Sequence, residues 1–457
     1  MSTPKKNGLS YGSYLVSAIP SILSMVFLSF YTTIDGFFVS YAVGADALAA
    51  INIALPITSI IFGLAVMLAT GAGAIIGERL GAGQKKEARN LFSFVSTVLL
   101  ITTTVLTILG LILLKPLAKL LGSTERLDPY VIPYLAIIII GTIPMAFKLF
   151  FEYMVRTDDH PKIALVTSTL GLVLNVVFDW LFVVVLNMGT IGAGLGTLFS
   201  IAAGTVIGLV HFLKGRNIKY VKFKNEWKEL GKSCSNGSSE MLSELAVGIT
   251  TFLFNIIILS YYGEEGVAAV TIITYVYYFF VAFYMGLGVA SAPKVSFSLG
   301  ERNFEKIKTI LRYAFITLLT FSSGIWAIAY FSASFTTSLF LHEGDPSLTI
   351  YGLKASSFVF LFAGFNIFLS AYFTAIGDGF ASALISTLRS LLLVVPLVIL
   401  LPLLFGAEAI WLTLPLADAL TIFVSGFLFN RRGRVKLLKK QKDKEDLTTL
   451  EAYAIEL

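Results

Sequence analysis

Runs of more than twenty apolar residues, separated by short polar turns, recur along the whole chain. Twelve such runs lie near 14–40, 48–76, 91–114, 130–155, 163–186, 191–213, 237–261, 267–292, 308–331, 351–376, 382–405 and 409–430. A helix rising 1.5 Å per residue needs about 20 apolar residues to cross a bilayer, whereas barrel strands need only about ten in alternation. The pattern therefore predicts an all-α polytopic membrane protein with twelve transmembrane helices. The first run is long, lacks a small-residue cleavage site and is followed by similar runs, so no cleavable signal peptide is expected. Two polar stretches stand apart, a linker at 214–236 and a tail at 431–457.

The two halves repeat one another at an offset of 219. Gly44-Ala45-Asp46-Ala47-Leu48-Ala49-Ala50 aligns with Gly263-Glu264-Glu265-Gly266-Val267-Ala268-Ala269, Arg79-Leu80-Gly81 with Ser298-Leu299-Gly300, and Lys162-Ile163-Ala164-Leu165 with Ala381-Ser382-Ala383-Leu384. Six helices per half is an even number, so the repeats run parallel about an axis along the membrane normal. The expected architecture is two pseudo-symmetric six-helix bundles, 1–213 and 237–430, around a central cleft.

Composition sharpens this picture. The chain is 56% hydrophobic and 14% charged, against about 25% charged in soluble domains. A net charge of +6 suggests nucleic acid until the bases are located: 29 of the 34 Lys and Arg fall on one side of the predicted topology. That count takes Arg389 as an interfacial base at the start of the eleventh helix. By the positive-inside rule both termini are cytoplasmic, and the partner is the bilayer, with no nucleic acid. A single cysteine, Cys234, excludes an intrachain disulfide.

Ionisable residues inside the apolar runs are few, and each is a candidate site because charge in hydrocarbon costs roughly 2.5–3.5 kcal/mol. Asn175 and Asp179 in GLVLNVVFDW lie four apart, on one helical face. Asp35 in FYTTIDGFFVS sits at the outer end of the first helix, or faces the bundle. Thr197 follows the small residues of GAGLGT, which also serve close helix packing. These oxygens suit Na⁺ or H⁺, and with no histidine or cysteine among them a transition metal is not expected there. Glu240 and Glu244 share a face early in the seventh helix, where Glu240 also suits a helix start. Lys148 and Glu152 have ion-pair spacing and read as structural. Asp418 and Arg389 have no assigned role. Tyr275 and Tyr278, within a dense aromatic cluster, could stack on flat cations or serve packing.

Soluble-enzyme signals are missing. Gly71-Ala72-Gly73 and Gly192-Ala193-Gly194-Leu195-Gly196 lack the Lys-Ser/Thr of a phosphate-binding loop. No ATP hydrolysis, cofactor or catalytic residue is expected, and His160, His211 and His342 fall in loops or at a helix end without evident partners.

Taken together, Pro20, GERLGAGQKKEAR (77–89), RTDDHPKIAL (156–165) leading into N-x-x-x-D (175–179), and GAGLGT (192–197) resemble the multidrug and toxic compound extrusion (MATE) family over about 14–432. The closest likeness is to bacterial branches with an N-lobe cation site, DinF-like members among them. The resemblance implies a monomeric exporter in the bacterial cytoplasmic membrane, driving amphipathic organic cations out against H⁺ or Na⁺ by alternating access. It places Asp35, Asn175, Asp179 and Thr197 at the N-lobe site, which could also hold Na⁺, with Tyr134 nearby and Pro20 at a bend. Glu240, Glu244, Tyr275 and Tyr278 are then candidates to bind substrate. Other branches carry a C-lobe acid pair that this chain lacks at the corresponding positions. A lipid or lipid-linked oligosaccharide flippase of the same superfamily is the alternative; such proteins typically have more helices and a cationic cavity.

Overall fold

The computed structural model describes residues 10–215, 217–340 and 345–433, with the side chains of 31–37, 39–42, 45, 48 and 264 outside the described set. The first half comprises α1 (Tyr11–Ala42), α2 (Ala45–Gly81), α3 (Lys85–Ile112), a short α4 (Leu114–Leu120), α5 (Asp128–Ile140), α6 (Thr142–Thr157), α7 (Pro161–Asp179) and α8 (Gly189–Lys214). In the second half, α9 (Trp227–Gly263) and α10 (Glu265–Gly300) are separated by non-helical backbone at Gly263. They are followed by α11 (Phe304–Phe331), a short α12 (Ala333–Phe340), α13 (Ser347–Ser357), α14 (Phe360–Ala375), α15 (Gly379–Thr387), α16 (Val394–Phe405) and α17 (Thr413–Leu428).

Among the described residues ten helical spans are long and apolar enough to cross a bilayer. The count is twelve when α5–α6 and α13–α14 are each taken as one span, bent by 49° and 47°. The bends occupy equivalent places in the two halves but arise differently. At the first, Pro144 lacks the N–H that would bond the carbonyl of Ile140, beside Gly141. At the second, Ser357 donates its hydroxyl to Lys354 O at 2.7 Å and Ser356 to Trp411 O at 3.1 Å. Such side-chain bonds compete with the helical ladder.

Each half builds its own apolar core. One gathers Phe92, Leu99, Leu135, Phe150 and Phe212; the other gathers Tyr284, Leu318, Phe368 and Phe373. The division of the chain into halves is not clean, however. Tyr14, Ala18 and Ile22 of α1 belong to the second core. Tyr14 Oη lies 2.8 Å from Ser291 Oγ of α10, and Lys294 donates to Ser17. Reciprocally, the start of α9 lies on α2, with Gly237 against the Met67 carbonyl and Gly71 against that of Ser233. The first helix of each repeat thus leans across onto the opposite bundle.

Three expectations are corrected. The seventh transmembrane helix begins at Trp227, so residues 227–236 are helix rather than linker. Arg389 is not interfacial: it lies within the Gly379–Phe405 span and is bonded deep in the C-terminal bundle. Its charge is held there by a buried aspartate, described below. Two of the histidines do have partners, Asp158 lying between His160 and His211. Of the tail, residues 434–457 lie outside the described residues, as does His342.

Candidate functional site

In the N-terminal bundle α7 buries Asn175 and Asp179 completely, one turn apart, with Asn175 Nδ2 3.4 Å from Asp179 Oδ2. The α8 backbone presses against this pair. A Cβ at Gly196 would collide with Asp179 Oδ1, so the GAGLGT segment is the surface that lets α8 approach the carboxylate. Thr197 on the same helix is buried. Tyr134 is also buried, on α5, between a bond from Thr190 to the Tyr130 carbonyl and the packing of Ile137 on Gly194. Directly after Asp179 the helix widens into a π-turn over Trp180–Val185, a distortion that recurs at functional sites. Pro20 sits inside an unbroken α1, its carbonyl accepting from Ser24 Oγ at 2.8 Å. Asp35 lies outside the described residues.

Next to this site Lys148 Nζ meets Glu152 Oε1 at 3.2 Å, both side chains buried. Ser168 and Thr167 donate to the same oxygen at 3.1 and 3.3 Å. The pair has the ion-pair geometry its spacing suggests and ties α6 to α7.

The C-terminal bundle holds a second polar cluster. Arg389 Nε lies 3.0 Å from Asp418 Oδ1, and Asn366 Nδ2 donates to that oxygen at 2.9 Å. Ser425 donates to Asn366 Oδ1 at 2.8 Å, and Arg389 reaches Tyr277 Oη at 3.3 Å. Arg389 itself falls in a π-turn, Leu388–Leu392. Asn366 carries no charge, so the tenth helix shows no acid there; the lone carboxamide in FLFAGFNIFLS is the one mark this residue leaves in the sequence.

Between the bundles lies a cavity lined by Tyr153, Thr157, Glu240, Met285, Thr374 and Arg389 among others. On the basic face it is closed where α2 and α10 cross. A Cβ at Gly81 would enter the carbonyl of Phe297, and one at Gly300 that of Glu78. Glu244 stands one turn beyond Glu240, its Cβ 3.6 Å from where a Gly63 Cβ would stand. Neither glutamate forms an ion pair among the described residues, unlike Glu152 and Asp418. Tyr275 and Tyr278 do not line this cavity; Tyr275 packs against Phe340 and Tyr278 against Tyr277.

The linker is fastened to the basic end of the N-terminal bundle. Arg79 grips Glu226 at 2.6 and 3.1 Å while Asn90 donates to the same carboxylate. Partial burial would raise this carboxyl's pKa, but the bonds from Arg79 and Asn90 outweigh it and hold Glu226 below the usual glutamate value. The amides of Val221 and Lys224 donate to Ser93 Oγ and Asn90 Oδ1 at 3.0 and 2.7 Å.

The MatE family profile matches residues 20–181 and 241–400, one segment in each half. The multidrug export protein MepA of Staphylococcus aureus (strain NCTC 8325 / PS 47) is 21% identical over 418 residues, 88% of this chain and 90% of that protein. The protein of the same name from Staphylococcus saprophyticus is 20% identical over 409 residues, with the same coverage. Among solved structures, the outward-facing conformation of a multidrug resistance MATE family transporter of the MOP superfamily superposes with a TM-score of 0.88. It is 24% identical and covers 97% of this chain and 100% of that one. A MOP superfamily transporter from Pyrococcus furiosus, described as having a binding pocket of reverse polarity, gives 0.85 at 24% identity over 96% and 100%.

Proposed function

Because the chain belongs to the MatE family, we propose that this membrane transporter exports several drugs, chiefly amphipathic organic cations, and couples their exit to entry of H⁺ or Na⁺. The observation that carries the cationic reading is the charge balance of the cavity. Arg389 on its wall is bound by Asp418 at 3.0 Å and acts on Glu240 only at longer range, so Glu240, with Glu244 a turn beyond, makes no salt bridge among the described residues and the two carboxylates outnumber the base left to them. A buried cation needs a counter-charge, and these carboxylates supply it. A lipid-linked phosphate would need the opposite sign, so the flippase reading is the weaker one. The multidrug export role named for the staphylococcal relatives supports the same choice.

In this scheme the coupling ion binds at Asp179, where the Asn175 amide and Thr197 hydroxyl add neutral oxygens, and Asp35 is the second acid expected from sequence. The basic face is cytoplasmic, and the protein resides in the bacterial cell membrane as a monomer. Alternating access requires the α2–α10 crossing to separate and re-form. The experiment is transport of ethidium by purified protein in liposomes, under a proton gradient or a Na⁺ gradient alone, for the natural chain and Asp179→Asn. Dye movement under one gradient, abolished in a variant that still folds, supports the assignment. Undiminished transport in Asp179→Asn removes the coupling ion from this site. No dye movement under either gradient turns the reading to lipid-linked substrates.

A further inference from the structure

Away from the transport machinery, the turn after α6 gathers three metal-binding side chains that the sequence separates. We propose that Asp158, His160 and His211 form a divalent transition-metal site, of the kind that takes Zn²⁺, at the basic end of the N-terminal bundle. One donor atom from each lies within 4.8 Å of the others. Asp158 Oδ2 is 2.8 Å from His211 Nε2 and 3.3 Å from His160 Nδ1. Tetrahedral coordination with bonds of about 2.0–2.1 Å puts neighbouring donors about 3.3 Å apart; the Asp158–His160 pair has that spacing, while the His211 ring must turn outward and His160 Nδ1 must exchange its 2.6 Å bond to the Asp158 carbonyl for the metal. The other oxygen, Asp158 Oδ1, accepts the Ile218 amide at 2.9 Å. A backbone donor of this type orients a ligating carboxylate. Asp158 is buried while the His160 side chain is 47% exposed, which leaves an entry route and a fourth position for water.

The corresponding turn of the C-terminal bundle carries its buried carboxylate elsewhere, at the start of the following helix, and fastens it differently. There Asp378 receives Arg432, Nε to Oδ2 at 2.9 Å and Nη2 to Oδ1 at 3.1 Å. One guanidinium satisfies both oxygens. The N-terminal turn instead converges two imidazoles on one carboxylate oxygen, a borderline-soft donor set suited to Zn²⁺, Co²⁺ or Ni²⁺. Binding displaces the proton shared between His211 and Asp158 to solvent, and the proton that His160 Nδ1 donates to the Asp158 carbonyl moves to Nε2, freeing Nδ1 for the metal. It adds a metal bond to the hydrogen bond that fixes the linker at Ile218.

The test is titration of tag-free protein with Co²⁺, read by visible absorption, and with Zn²⁺, read by calorimetry. The chain has three histidines and one cysteine, so His160→Ala with His211→Gln leaves little background. Gln at 211 can still donate to Asp158, and an unchanged metal-free melting temperature confirms that the fold survives. Stoichiometric binding weakened at least about tenfold by either substitution is expected, the loss typical of an altered metal shell. Absence of stoichiometric binding in the natural chain, or binding indifferent to both substitutions, overturns the site.

Discussion

Lys148 and Glu152 have the spacing of an ordinary surface pair, yet both side chains are more than nine-tenths buried. Removing one partner of such a pair leaves a charge stranded in hydrocarbon, at a cost of about 3–5 kcal/mol, while replacing both with apolar residues is often nearly neutral. Lys148→Ala and Glu152→Ala should therefore each lower the melting temperature sharply. Lys148→Met with Glu152→Leu should melt closer to the natural protein and still transport dye. If the double variant folds but transport is lost, the pair belongs to the transport cycle rather than to the scaffold. This contrast shows what sequence reveals at the scale of single residues. The spacing of Asn175 and Asp179 on one face was legible, because a helix period alone aligns them. Arg389 was misread because its partner, Asp418, lies 29 residues away on another helix. No local pattern records that meeting.

The apolar runs announced the spans, and the two bent helices fell within single runs because a bend hardly changes hydropathy. Helix ends were less legible. Residues 227–236 read as linker because Lys228, Glu229 and Lys232 crowd the first turns, yet they form helix with Lys232 Nζ 2.7 Å from Glu229. The true linker ends on Glu226, and its attachment should depend on pH. A carboxyl held below its ordinary value of 4.5 stabilises the fastened form above that pH. The contribution fades as pH falls through the lower folded value. Amide exchange at Val221 and Lys224, corrected for intrinsic rate, should accelerate once pH drops below about 4.5, with buried amides of α3 unaffected. Exchange that stays flat down to pH 3 would show that Ser93 and Asn90 hold the linker without help from Glu226.

For the whole molecule, the 219-residue offset predicted two matched bundles and was right about their number. It was silent about how they share helices, because contact between repeats leaves no mark on either repeat alone. The α2–α10 crossing shows the relation directly. Gly81 meets Phe297 and Gly300 meets Glu78, and both members of each contact are exchanged by the same shift. Close main-chain approach of this kind admits no side chain at either glycine. The α1 and α9 helices obey the same rule, each lending its first turns to the other bundle. A chain cut within 215–226 should then give two pieces that fail to accumulate when expressed singly and assemble into a transport-competent complex when expressed together. Stable, separately folded halves would contradict the shared cores.

That exchange of first turns has a consequence for the linker. Two identical partners that swap an element about a twofold axis are a domain-swapped dimer, and the mutual loan of first turns gives the two halves of this chain an interface of that kind, although the rest of α1 packs on its own half against α7 and α8. Each half has an apolar seat filled by the first turns of the other. Six helices made alone would carry that seat uncovered, so the linker keeps beside each half the partner that covers it.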